Sequence, residues 1–215
     1  MNVDSQFELL WRDLKAQGNP LHTFAGLAAA YSAPPRAYHT LEHVRWGLRR
    51  IDEIVRAEDL EQRIDVQAAR WAMWFHDSVM TFGEGSDEDE ERSARYAYQE
   101  AKQAGLPTSF ANKVLALVLS TSHLADKLTL IESVLVDADL SMLGAGENDF
   151  SIYEERVRQE WGQFDDGAFA AGRIAVLRRF LKKRRIFTTD YGRDKWEARA
   201  QNNLRRSIEK LKVHL

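Results

Sequence analysis

The chain has 215 residues, 44% of them hydrophobic, and carries 30 Lys and Arg against 33 Asp and Glu, a net charge of -3. That length supports one substantial core, and the mixed charge makes no general case for nucleic acid or an anionic membrane. Cysteine is absent, which excludes a disulfide framework, thiolate metal ligands and a cysteine nucleophile, so a metal site has to be built from His, Asp, Glu and water. No basic region followed by an apolar signal core opens the chain, and no apolar run reaches spanning length. The expectation is a soluble, cytoplasmic, mostly helical protein.

Phe7, Leu10, Trp11 and Leu14 mark an amphipathic first helix capped by Asp4 or Ser5. Gly18-Asn19-Pro20 ends it, and Phe24, Leu27, Ala28 and Tyr31 mark a second. Pro34-Pro35 is read as the start of a third helix, because proline is accepted in a first turn and not in a helix interior. Its stripe is Leu41, Val44, Leu48, Ile51 and Val55. His39 and His43, four apart, share one face in this reading, with Arg36 and Gly47 in the same row. A missing side chain at Gly47 would leave room for a ligand. Two histidines on an exposed flank are the plainer alternative.

The run Trp71-Ala72-Met73-Trp74-Phe75-His76-Asp77 delivers a histidine and an acid to the edge of a core. Residues Val66 to Phe75 are apolar nearly all round, which predicts a central helix. A buried charge without a partner is costly, and a metal cation that takes imidazole and carboxylate as ligands offsets that cost. A capping aspartate at the end of a core helix is the other reading. Thr81 to Glu91 reads as a solvated loop with an acidic helix start, or, functionally, as the segment from which Glu90 or Glu91 reaches the water around a metal.

Pro107 opens a helix with Val114, Leu115, Val118 and Leu119 inward, and His123 follows at its end as a capping or core residue, with a place on the substrate side as the alternative. A second apolar run, Leu130 to Val136, ends in Asp137-Ala138-Asp139, of which only one acid easily faces a common point if the pair is helical. Ser151 to Glu154 fits a capping box. Asp165 or Asp166 caps the next helix, Lys182 to Arg185 reads as its solvated basic end, and Trp196, Leu204, Ile208 and Leu211 mark the last helix.

Taken together, His43, then His76-Asp77, then an acid of Asp137-Ala138-Asp139 resemble the HD superfamily of metal-dependent phosphohydrolases. The stretches Tyr38–His43, Trp74–Asp77, Ser120–His123, Asp137–Gly144, Val157–Trp161 and Gly172–Leu177 are similar to one branch of it, predicted hydrolases of undetermined substrate. The resemblance implies an all-α, single-domain helical bundle over residues 1–215, with N-terminal and C-terminal helices packed on the core. It also implies one divalent metal held by His43, His76, Asp77 and Asp139, with Asp77 serving in catalysis as well. His39 resembles a general acid one turn before the first ligand. Met80 and Asp89 depart from the branch, which has tyrosine and asparagine there.

The implied activity is hydrolysis of a nucleotide or other small phosphate ester, and the expected partner is such a phosphorylated molecule; a homodimer is one option. Arg36, Arg158 and Arg173 are candidates for gripping a phosphate in a planar fork, unless they serve as ordinary ion-pair arginines. Ligation by N and O without sulfur suits Mn, Fe, Co, Ni, Mg or Zn. A di-iron HD oxygenase would need two further histidines before the last aspartate, where this chain has only His123. A metal-retaining regulatory module without turnover is the third reading.

Overall fold

Asp4 accepts from the amide of Gln6 at 2.9 Å and starts α1 (Ser5–Asp13), as the sequence indicates. The computed structural model describes residues 4–61, 65–83, 88–123 and 127–215. Among them every regular element is helical: α2 (Pro20–Tyr31), α3 (Leu41–Ala57), α4 (Val66–Phe75), α5 (Asp89–Gln103), α6 (Thr108–Ser120), α7 (Leu130–Leu140), α8 (Glu147–Glu160), α9 (Asp166–Lys182), a short α10 (Asp190–Gly192), a π turn over Arg193–Glu197, and α11 (Ala198–Leu211). No helix of the described residues is long and apolar enough to cross a membrane.

The central helix is the most deeply buried. Trp71, Ala72, Met73, Trp74 and Phe75 of α4 are each 0% exposed, and α4 packs against α3, α5, α6 and α7. Aromatic rings join it to the N-terminal helix, with Trp11 stacked on Trp71 at 5.8 Å and Phe7 edge-on to Trp74 at 5.3 Å. Such pairs add about 0.5–1.5 kcal/mol beyond the area they bury. The indole N–H of Trp71 finds the carbonyl of Ala97 at 3.2 Å, so the ring is buried without an orphaned donor. At the far end, α11 packs on α9 and on the turn after α7, where Asn203 donates to the carbonyls of Leu143 and Ala145.

Three local expectations are corrected. The third helix begins at Leu41, capped by Thr40, and not at the cis Pro34-Pro35 pair. The amides of Ala37, Tyr38 and His39 donate to a side-chain carboxylate, Glu160, which gives them partners outside a helix. Ser151 lies inside α8, which starts four residues earlier at Glu147; the capping box stands instead at Thr129 and Glu132 of α7. The space beside Gly47 holds the side chain of Met73, 2.4 Å from where a Cβ would lie, so it is a close helix–helix contact and not room for a ligand.

Two glycines give the packing a test. A Cβ on Gly144 would meet Trp196 Cβ at 2.5 Å and its carbonyl oxygen at 2.7 Å, whereas nothing lies within 4 Å of one on Gly172 in α9. In thermal or urea unfolding, Gly144→Ala is expected to lose about 1–3 kcal/mol by overpacking. Gly172→Ala is expected to gain about 0.5–1 kcal/mol from the better helix former. Equal effects of the two substitutions would contradict this packing.

Candidate metal centre

The ends of three helices converge on one point. His76 and Asp77 follow α4 directly, Asp139 stands in the last turn of α7, and His123 lies three residues past α6. His43 comes from the first turn of α3. Helix C-termini carry partial negative charge, so α4 and α7 add to the attraction of their acids for a cation.

His43, His76 and Asp77 form a group whose ligand atoms lie within 4.8 Å of one another, and this group can hold a metal ion. The two imidazole Nε2 atoms face each other at 3.0 Å. Asp77 Oδ2 is 3.0 Å from His76 Nε2 and 3.5 Å from His43 Nε2. These are the edges of a coordination polyhedron: bonds of about 2.1 Å place adjacent ligands about 3.0 Å apart at right angles and about 3.4 Å apart at the tetrahedral angle. The donor chemistry fits as well. His76 Nδ1 lies 3.0 Å from the carbonyl of Met73, which can only accept, so the proton sits there and the Nε2 lone pair is free.

The electrostatics of the group call for positive charge. Burial pushes the imidazole of His76 down, but Asp77 and Asp139 outweigh it and leave His76 well above its ordinary value; His43 moves upward against the same burial. Burial also works against ionisation of Asp77, which the neighbouring imidazoles nevertheless hold well below the usual carboxylate range. Two Nε2 atoms at 3.0 Å cannot both carry protons aimed at each other. A divalent cation satisfies the acids and both lone pairs at once.

The acids of Asp137-Ala138-Asp139 face different neighbours. Asp139 Oδ1 lies 3.2 Å from His43 Nε2 and 3.4 Å from His76 Nε2, and its Oδ2 lies 3.2 Å from His123 Nε2. Asp137 is 0% exposed and turned toward the segment before α10. It accepts from the amides of Thr188 and Thr189 at 2.8 to 3.0 Å and from both threonine hydroxyls.

The other site residues of the sequence reading are spread more widely. His39 reaches the site from the loop before α3, with its ring 5.7 Å from that of His43. Arg36 donates to the carbonyls of His39 and Asp77, so it ties the loop to the His-Asp turn. Glu90 is half-buried at the start of α5, where burial and the negative charge of Asp77 push its carboxyl upward. The loop leading to it is held by Asp89, which accepts from Thr81, while residues 84–87 lie outside the described residues. Arg158 is engaged elsewhere, by Asp166 and the carbonyls of Trp161 and Phe164. Arg173 is bound to Glu154 and to the hydroxyl of Tyr153, whose ring packs on Tyr38 beside His43. Lys183 is not wholly solvated, since its ammonium donates to the carbonyl of His123 at 3.0 Å.

Sequence reasoning assigned no role to Glu160. It is 0% exposed; Oε1 accepts from three successive amides and Oε2 lies 2.7 Å from His39 Nδ1. A glutamate beside Val157 on the inward face of an amphipathic helix was the available signal, because a buried acid needs a partner.

No family model, curated protein or solved structure matches the chain. The class that fold and site define is an all-α protein with a buried His-His-Asp group able to hold a metal.

Removing each acid of the pair separates their tasks. Asp137→Ala is expected to keep the bound metal while lowering the melting temperature, because the amides of Thr188 and Thr189 lose their acceptor, at about 1–3 kcal/mol for each buried donor. Asp139→Ala is expected to lose metal with a smaller change in melting temperature of the metal-free form. Metal analysis and calorimetry on both variants check this, and the reverse pattern would overturn it.

Proposed function

We propose that this chain is a metal-dependent phosphohydrolase acting on a small phosphate ester, with nucleotides among the candidates. The carrying observation is the convergence of two imidazole Nε2 atoms and two carboxylates on one point, with edges of 3.0 to 3.5 Å. In this reading Asp139 is the fourth protein ligand, and His123 holds its second oxygen in place by donating from Nε2. A bound divalent cation polarises a phosphoryl oxygen and acidifies water at an open position.

The chain's own residues supply the rest. Arg36 fixes the backbone of Asp77 relative to His39. The His39 ring stands beside His43, not within hydrogen-bonding distance of the metal group, which suits a residue that gives a proton to a leaving oxygen. Acting as that acid, it gives up the Nε2 proton while Nδ1 keeps its own and donates it to Glu160 Oε2. A cleft of 440 Å³ between α3 and α8 is lined by His43, Trp46, Arg49 and Tyr153, by Arg156 paired with Glu42, and by Asp149.

The test begins with metal content. The purified chain is expected to carry about one divalent ion, and His76→Ala and Asp77→Ala to lose it. A panel of phosphate esters then reads turnover. His39→Ala is expected to retain the metal and lose about 10²–10⁴-fold in rate on a substrate with a poor leaving group, and less on p-nitrophenyl phosphate. Full metal in both ligand variants, or a metal-loaded chain that hydrolyses none of the panel, would overturn the reading; the second result would favour a binding module.

A further inference from the structure

We propose that Glu160 is the positioning residue of His39, fixing its imidazole with a proton on Nδ1 so that Nε2 is the reactive end. The reading of what His39 does rests on the function proposed above; the geometry does not. Glu160 sits at the last residue of α8, more than a hundred residues from the loop it holds, and is 0% exposed.

Its two oxygens do different things. Oε1 accepts from the amides of Ala37, Tyr38 and His39 at 2.9, 2.9 and 2.8 Å. Those three donors already fix the loop. Oε2 adds something the loop does not need, a 2.7 Å contact with His39 Nδ1, in the range of a charge-assisted bond. An ionised carboxylate can only accept, so Nδ1 carries the hydrogen.

Pinning the loop alone would not call for a charge at this position. A glutamine oxygen would accept the same three amides without burying an anion, which is costly. The charge is explained by the imidazole: a buried carboxylate on Nδ1 selects one tautomer and stabilises the ring when it holds a second proton. Among the described residues Nε2 makes no hydrogen bond, and the side chain keeps 21% of its exposure. The ring is braced edge-on against Tyr38 at 4.9 Å and His43 at 5.7 Å. The free end of a fixed ring is therefore presented beside the His-Asp group.

Glu160→Gln tests this directly. The amide oxygen still takes the three N–H groups, while the amide NH₂ must donate to Nδ1, which drives the His39 proton to Nε2. The full chain, labelled with ¹⁵N-histidine and loaded with zinc or magnesium, is read by long-range imidazole correlation spectra. The signals of His39 are those lost in His39→Ala. The expected result at a pH where the ring is neutral is an Nδ1–H tautomer in the wild type and an Nε2–H tautomer in Glu160→Gln. Phosphate ester turnover should fall by about 10²–10⁴-fold with metal retained, and His39→Ala/Glu160→Gln should be no slower than either single variant. An Nε2–H tautomer in the wild type overturns the proposal, and that spectrum decides even if the variant fails to fold. An unchanged tautomer in a folded Glu160→Gln overturns it too. Failure of the phosphohydrolase reading would show separately, as no turnover by the wild type with the tautomers as expected.

Discussion

Asp77 and Asp139 are acids held well below the usual carboxylate range at the ends of α4 and α7, where only 19% and 13% of their side chains reach solvent. Removing a carboxylate from water costs several kcal/mol even after relaxation. The rest of the structure answers that cost. Three imidazoles are drawn in from three different elements and the donor atoms face a common point, while the negative C-terminal ends of α4 and α7 add to the demand for positive charge. Without positive charge at that point the acids would repel each other across the ends of α4 and α7. The core around Trp71, Trp74 and Phe75 supplies the apolar burial that holds them together.

Much of this was legible in the sequence. Apolar runs ending in His76-Asp77 and in Asp137-Ala138-Asp139 announce both the central helices and the acids they deliver, because a run of that length has nowhere to go except a core. The 3.6-residue periodicity gave α1, α2 and most of α3, and Asp4 and Asp165 were each one of two cap candidates, whereas Asn19, read only as part of a helix end, caps α2. The different orientations of Asp137 and Asp139 follow from helix geometry, since residues two apart cannot point the same way.

What was not legible depended on partners distant in the chain. Spacing alone put His39 and His43 on one helix, but the amides before Leu41 found a better acceptor in Glu160, and the loop stayed out of the helix. Gly47 looked like a vacancy because the sequence does not say that Met73 packs there. Arg36, Arg158 and Arg173 looked equivalent as cations, yet one ties the His39 loop to Asp77 and the other two are engaged by Asp166 and Glu154. Local pattern fixes an element; the chemistry of a side chain within it is decided by what long-range folding brings alongside.

The two acids of α7 also constrain how this chain can vary. Asp139 answers to the histidines, and Asp137, two residues earlier, answers to Thr188 and Thr189, with the backbone at Gly192 so close that a Cβ there would come within 2.6 Å of Asp137 Oδ2. One turn of helix is thus gripped from both sides. The stretch between α9 and α11 cannot drift in length as a surface loop ordinarily does, because a residue inserted there would strain the bonds from Thr188 and Thr189 to Asp137. A region remote from the histidines in sequence is thereby tied to the same turn of helix, and relatives that preserve Asp137 should also preserve the number of residues separating Lys182 from Ala198.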